Sequence, residues 1–205
     1  MIKSSPFLQR MQESMGKAFA FVPLSPTQIT ALAPLFALLS FYFMFHRQME
    51  FAIIAFAVAA VVDALDGAVA RVRGQVSKKG AFFDGVCDRV VEFLAVLGLL
   101  AYGLSAFILA GEIWALFFVF FGTCMAAFVG AYASHRGVMP EKEAERLPAM
   151  FRRPERVLCI FFAMLVAIVS PIGATAIIAL GAVLSLLTLA QKIVHVMVYV
   201  EQGGK

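Results

Sequence analysis

Charge is scarce in this sequence. Of 205 residues, 17 are Lys or Arg and 13 are Asp or Glu, so only 15% are charged. A soluble domain carries about 25% charged and about 45–50% apolar residues. Here 62% are hydrophobic and the mean hydropathy is +0.90. A soluble fold of this length has no interior able to hide that surface, so the membrane class comes first, with one domain at this length. Cysteine is also scarce. Cys87, Cys124 and Cys159 are isolated in apolar stretches, which argues against a disulfide framework or a thiolate zinc site and leaves them as small packing residues. His46, His135 and His195 are scattered near the ends of apolar runs and form no metal set. Trp114 and the tyrosines suit interfacial or packing positions. There is no internal repeat and no low-complexity tract. The first twenty residues lack a compact apolar run followed by a small-residue cleavage site, so no cleavable signal peptide is expected.

What is present is a series of long apolar runs. Six spans can be drawn near the roughly 20 residues a bilayer core requires. They run over residues 27–45, 50–70, 79–104, 107–133, 154–170 and 173–194. Ahead of them, Lys3, Arg10, Glu13 and Lys17 alternate with Phe7, Leu8, Met11, Met15 and Phe19. That mix predicts an amphipathic helix lying in the membrane interface. The expectation is therefore an all-α polytopic membrane protein. Residues 1–24 form the interfacial helix, residues 25–200 a six-helix transmembrane domain, and residues 201–205 a polar tail.

The net charge of +4 is unevenly placed. Arg71, Arg73, Lys78 and Lys79 lie between spans two and three. Arg136, Lys142, Arg146, Arg152 and Arg153 lie between spans four and five, and Lys192 and Lys205 follow at the end. The opposite connections hold only His46, Arg47, Glu50 and Glu112. This bias places both termini and the basic connections on the cytoplasmic side of a cell membrane. Anionic lipid headgroups, rather than nucleic acid, are the expected counter-charge. The connection from Ser134 to Arg153 is longer than a turn requires, and reads either as a substrate-contacting segment or as a solvated basic loop.

The informative stretch is acidic. Asp63 and Asp66 are three apart at the end of span two, and Asp84 and Asp88 are four apart at the start of span three. Both spacings put side chains on one helix face. The connection between the pairs is short, so all four carboxylates can converge. Like charges at close range repel or raise one another's pKa values. Hard divalent cations with oxygen ligands resolve that conflict. Gly67 and Gly80 leave room for a ligand to approach the backbone, and Arg71 adds a fork suited to phosphate. Metal ions and arginine at a membrane surface point to phosphoryl chemistry on a charged, lipid-linked substrate.

The string D63-x2-D66-G67-x2-A70-R71-x8-G80-x3-D84-x3-D88 resembles the signature of the CDP-alcohol phosphotransferase family, with every fixed position present at the right gap. The resemblance implies an enzyme that displaces CMP from a CDP-linked lipid donor, CDP-diacylglycerol or CDP-archaeol, with a small alcohol as acceptor. It implies two Mg2+ or Mn2+ ions held by Asp63, Asp66 and Asp84. Asp88 would complete the metal site and act as general base. Gly67, Ala70 and Gly80 would line the cytidine and diphosphate pocket, and Arg71 would hold the diphosphate. Membrane lipids and a second copy of the chain are the other implied partners. One departure is Thr27, which follows Pro26 where many relatives carry asparagine. Thr27 is also a good helix N-cap, so the change can be neutral for structure while the nucleotide contact is in question.

For the acceptor, the segment Arg152-Arg153-Pro154-Glu155-Arg156 resembles the basic segment of relatives that use inositol phosphate. Arg153 and Arg156 share a helix face, and Arg136 and Lys192 join them as candidate contacts to an acceptor phosphate, the group that clustered arginine suits. A phosphorylated polyol such as inositol phosphate is the expected acceptor. Glycerol phosphate, serine or inositol are the alternatives within the family. Outside it, a cation transporter would use the same carboxylates, but transport sites lie near mid-span whereas these aspartates lie at span ends. A non-catalytic membrane subunit would explain the spans but not the motif.

Overall fold

The computed structural model describes residues 23–202 together with Ala18. The expected interfacial helix over residues 1–24 therefore lies almost wholly outside the described residues, as do the last three residues of the polar tail. Among the described residues every regular element is helical, apart from one isolated antiparallel bridge between Phe107 and Leu109. In chain order the helices are α1 (Pro26–Phe45), α2 (Met49–Val72), α3 (Lys78–Tyr102), α4 (Gly111–His135), α5 (Glu141–Ala144), α6 (Arg153–Ala167) and α7 (Pro171–Glu201). Within α4, the segment Phe118–Met125 is π-helical.

Helices α1, α2, α4 and α7 are long and apolar enough to cross a membrane, and a chain with several such helices is a multi-pass membrane protein. Helix α3 has the length, but it carries Lys78, Lys79, Asp84, Asp88, Arg89 and Glu92. Helix α6 has 15 residues, about 22 Å against a hydrocarbon core of about 30 Å. Two boundaries differ from the sequence reading. Helix α4 begins at Gly111 rather than near Phe107, because Ile108 adopts a φ of 62° and Trp114 Nε1 donates to Phe107 O at 2.6 Å, fixing a turn there. Helix α7 runs on to Glu201.

The helix ends follow local chemistry. Ser25, not Thr27, caps α1. Its hydroxyl accepts from the Gln28 backbone at 3.3 Å, and Gln28 Oε1 accepts from Ser25 N at 2.8 Å, a capping box followed by Pro26. Helix α2 ends on Gly74, whose φ of 63° suits glycine. Gln75 N donates to Ala70 O at 2.9 Å and Gly74 N to Arg71 O at 3.2 Å, the paired bonds of a Schellman turn. Ser77 then caps α3, its hydroxyl accepting from Gly80 N at 3.0 Å. The turn is also tied backwards, since Arg73 Nη1 donates to Leu24 O at 2.6 Å.

The chain divides into two compact units, Met1–Gly98 and Leu99–Lys205. In the first, α1 packs along α2 through small buried residues, Ala33, Ala37 and Ser40 against Ala52, Ala55 and Ala59. Ser40 Oγ donates to Ala52 O across the contact at 2.8 Å. Small residues let helix backbones approach where lipid offers no hydrophobic drive to association. In the second unit α7 packs against α4 and α6. The connection after α4 keeps Arg136, Lys142 and Arg146 exposed but is anchored by apolar residues. Met139, Ala144 and Leu147 are buried with Ala133 of α4, with Val196 and Tyr199 of α7 packed against them. Phe151 N donates to Thr188 Oγ1 of α7 at 3.0 Å.

The tightest helix contact of the second unit is at Gly181. A Cβ there would lie 2.5 Å from Phe118 Cε2 and 2.9 Å from Cys159 Sγ. Phe118 is fully buried and its ring has little room to yield. Gly181→Ala is expected to destabilise the protein by about 1–3 kcal/mol, read from thermal denaturation in detergent. A melting temperature equal to wild type would show that the helices part without strain.

Candidate active site

Helix α2 delivers Asp63, Asp66, Gly67, Ala70 and Arg71 over its last turns, and α3 delivers Gly80, Asp84 and Asp88 over its first. The Schellman turn and the Ser77 cap join these ends within five residues. One carboxylate oxygen each from Asp63, Asp84 and Asp88 lie within 4.8 Å of one another. A cation that bonds oxygen at about 2.0–2.6 Å bridges pairs roughly 4–5 Å apart. Asp63 and Asp84 are half-buried, and Asp88 is 8% exposed. Arg89 Nη1 lies 3.4 Å from Asp88 Oδ2 and donates to Gly85 O at 2.7 Å, but it is partly exposed and gives the cluster little charge relief.

Asp66 stands slightly apart from that triad, against a cavity of about 340 Å3, within the range of small-ligand sites. Its Oδ1 accepts from the Gly67 backbone. Its Oδ2 is buried, with the Thr30 hydroxyl, which also donates to Pro26 O at 3.0 Å, nearby. Gly67, Ala70, Arg71, Gly80 and Asp84 line the same cavity. Asp84 therefore belongs both to the carboxylate triad and to the cavity wall. Three close carboxylates beside the buried Asp66 fit a hard divalent cation.

The acceptor candidates lie in the second unit. Arg153 is half-buried at the start of α6, and Arg156 is 7% exposed one turn on. The stem of Arg156 rests against Gly122 of the π-helical segment. Lys192 Nζ donates to Ala126 O at 2.6 Å, just past that segment. Arg156 and Lys192 thus flank the same stretch of α4. Arg136 does not join them. It follows α4 fourteen residues after Gly122, roughly 20 Å along the helix axis, and edges an apolar groove lined by Phe128, Tyr132 and Met197.

Residues 24–198 match the family model described as CDP-alcohol phosphatidyltransferase. The chain belongs to this family. It is 31% identical over 206 residues to archaetidylinositol phosphate synthase of Pyrococcus horikoshii, with 98% of each protein covered. A CDP-diacylglycerol–glycerol-3-phosphate 3-phosphatidyltransferase of Cereibacter sphaeroides is 34% identical over 96 residues, 45% of this chain and 43% of that protein. The fold matches crystal structures of Mycobacterium tuberculosis phosphatidylinositol phosphate synthase. With CDP-DAG bound, the TM-score is 0.70 at 23% identity, covering 91% of this chain and 94% of that one. With manganese and citrate, the TM-score is 0.69 over 91% and 88%.

Several residues of this CDP-alcohol phosphotransferase escape the sequence reading. Thr30 stands on the cavity wall beside Thr27, the position where many relatives carry asparagine. Glu92 is 1% exposed and continues the row of Asp84 and Asp88 at a spacing of four. That spacing was visible in the sequence. Ser185, Thr188 and Gln191 give α7 a polar stripe. The Gln191 amide accepts from Met150 N at 3.1 Å, so the stripe anchors the chain that leads into Arg153. An α-helical reading of the π segment gives no hint of Gly122 facing Arg156.

Proposed function

We propose that the protein transfers a lipid-phosphate group from a CDP-linked lipid to inositol phosphate and releases CMP. The observation that carries this reading is the full-length similarity to archaetidylinositol phosphate synthase, joined to a carboxylate triad that shares Asp84 with the wall of a small-molecule cavity. CDP-diacylglycerol or CDP-archaeol is the donor. Asp63, Asp66, Asp84 and Asp88 would hold two Mg2+ or Mn2+ ions, which would supply positive charge to offset the negative charge developing on the CMP leaving group. Arg71 holds the diphosphate, and the wall of Gly67, Ala70 and Gly80 takes the cytidine side. Asp88 removes the proton of the acceptor hydroxyl. Arg153, Arg156 and Lys192 hold the acceptor's phosphate.

In this reading α3 and α6 also cross the bilayer. That makes six spans, with the interfacial helix at residues 1–24 lying ahead of them. Both termini and the site face the cytoplasm of a cell-membrane homodimer. The charge asymmetry of the connections supports that orientation. Glycerol phosphate is the second reading, favoured by the partial match to the glycerol-3-phosphate enzyme.

The test is purified protein in nanodiscs with either donor, Mg2+ or Mn2+, and a panel of acceptors. CMP release should be at least about tenfold faster with inositol phosphate than with glycerol phosphate, inositol or serine. That factor corresponds to about 1.4 kcal/mol of preference. Release with serine but with neither phosphorylated polyol would overturn the reading.

A further inference from the structure

We infer that Gly122 is a specificity-determining position, which seats Arg156 and thereby sets how well the enzyme takes a phosphorylated acceptor. The inference rests on the proposed role of Arg156 as an acceptor contact.

Arg156 is buried on the first turn of α6. A buried arginine carries a desolvation cost that an apolar side chain of the same volume would avoid. Packing alone does not call for it. Its stem occupies the space that a side chain at position 122 would fill. A Cβ on Gly122 would lie 2.9 Å from Arg156 Cδ, 2.6 Å from Ser185 Oγ and 3.2 Å from Ser185 Cβ. Ser185 is not free to swing away, because it is fully buried and its hydroxyl donates to Gly181 O at 2.7 Å.

The backbone beneath Arg156 is itself unusual. Gly122 lies inside the eight-residue π segment, with the fully buried Thr123 beside it. Such segments are rare and frequently mark functional sites. Lys192 holds the far end of this one through Ala126 O. Gly122 and Ser185 thus bound the channel through which the arginine stem passes. The guanidinium can be aimed only as that channel allows. An error of about 1 Å in such aim costs on the order of a hundredfold in a pre-organised site.

The experiment measures KM for inositol phosphate, KM for the CDP-lipid and kcat in Gly122→Ala, with Arg156→Gln and Gly181→Ala beside it. Gly122→Ala should raise the acceptor KM about tenfold or more and leave the donor KM within twofold. Gly181→Ala strains the same helices without touching Arg156. It should lower the melting temperature and leave the acceptor KM unchanged. If Gly122→Ala does not fold, Ser185→Ala carries the test. It loosens the channel instead of closing it, and should raise the acceptor KM severalfold. An acceptor KM unchanged in folded Gly122→Ala, or in Ser185→Ala where that variant stands in, overturns the inference. An equal rise in Gly181→Ala does so too, since it would mark a general packing effect. The underlying reading fails separately: Arg156→Gln with a wild-type acceptor KM would remove Arg156 from the acceptor site, whatever Gly122→Ala does.

Discussion

Replacing Asp88 by asparagine is expected to lower CMP release at least about a thousandfold and leave the fold intact. The two side chains have the same shape, so the buried position stays filled. What changes is charge. Asp88 lies with Asp63 and Asp84 in a triad whose oxygens are within 4.8 Å of one another, and asparagine removes one anionic ligand from it. It also removes the proposed base, a role worth about 10²–10⁴-fold in rate. The ion pair with Arg89 is lost as well, but a partly exposed pair contributes at most about 1 kcal/mol. Rates should be read by CMP release and folding by thermal denaturation and gel filtration. A folded Asp88→Asn enzyme with more than a tenth of wild-type activity would exclude Asp88 from the chemistry.

Withdrawal of divalent ions should act on stability as well as on rate. Three carboxylates this close repel one another in the empty protein. A cation that binds only the folded state adds about 2.7 kcal/mol when present at a hundred times its dissociation constant. Chelation is therefore expected to abolish CMP release and lower the melting temperature, and Mg2+ or Mn2+ should restore both. Asp84→Asn makes the sign informative. Without metal this variant should melt at or above wild type, because one repelling charge is gone. With metal it should melt below wild type, because the ion is held less well. Curves that keep the same order in both conditions would show that Asp84 has a purely structural role. Insensitivity of wild type to chelation would remove the metal altogether.

The carboxylates were legible because charge within an apolar run is conspicuous, and because helical spacing converts gaps of three and four into one face. The family signature added their proposed roles. The helices were legible for the same reason of composition, but their ends were not. Ile108 in a left-handed conformation and the Trp114 bond that fixes the turn are tertiary facts. Thr27 looked like a cap because threonine caps helices well, yet Ser25 with Gln28 three residues on made the stronger pair. The acceptor residues were the least legible. Arg136 and Arg156 carry the same charge and sit near span ends. Only packing separates the buried arginine of α6, set against the π segment, from the exposed one after α4.

The Schellman turn after α2 has a consequence for the spacing of the motif. Because Gly74 and Gln75 return to Arg71 and Ala70, and Ser77 starts α3 at once, the gap between the two aspartate pairs contains no slack. Position along the chain is then locked to rotational phase. One residue added within α3 ahead of Asp84 would turn the second pair by about 100° away from the first. One added in an ordinary flexible loop would be absorbed. The eight-residue interval in the motif is therefore a gear ratio between two helices, and a change in its tooth count should disengage the site even where every functional side chain is kept.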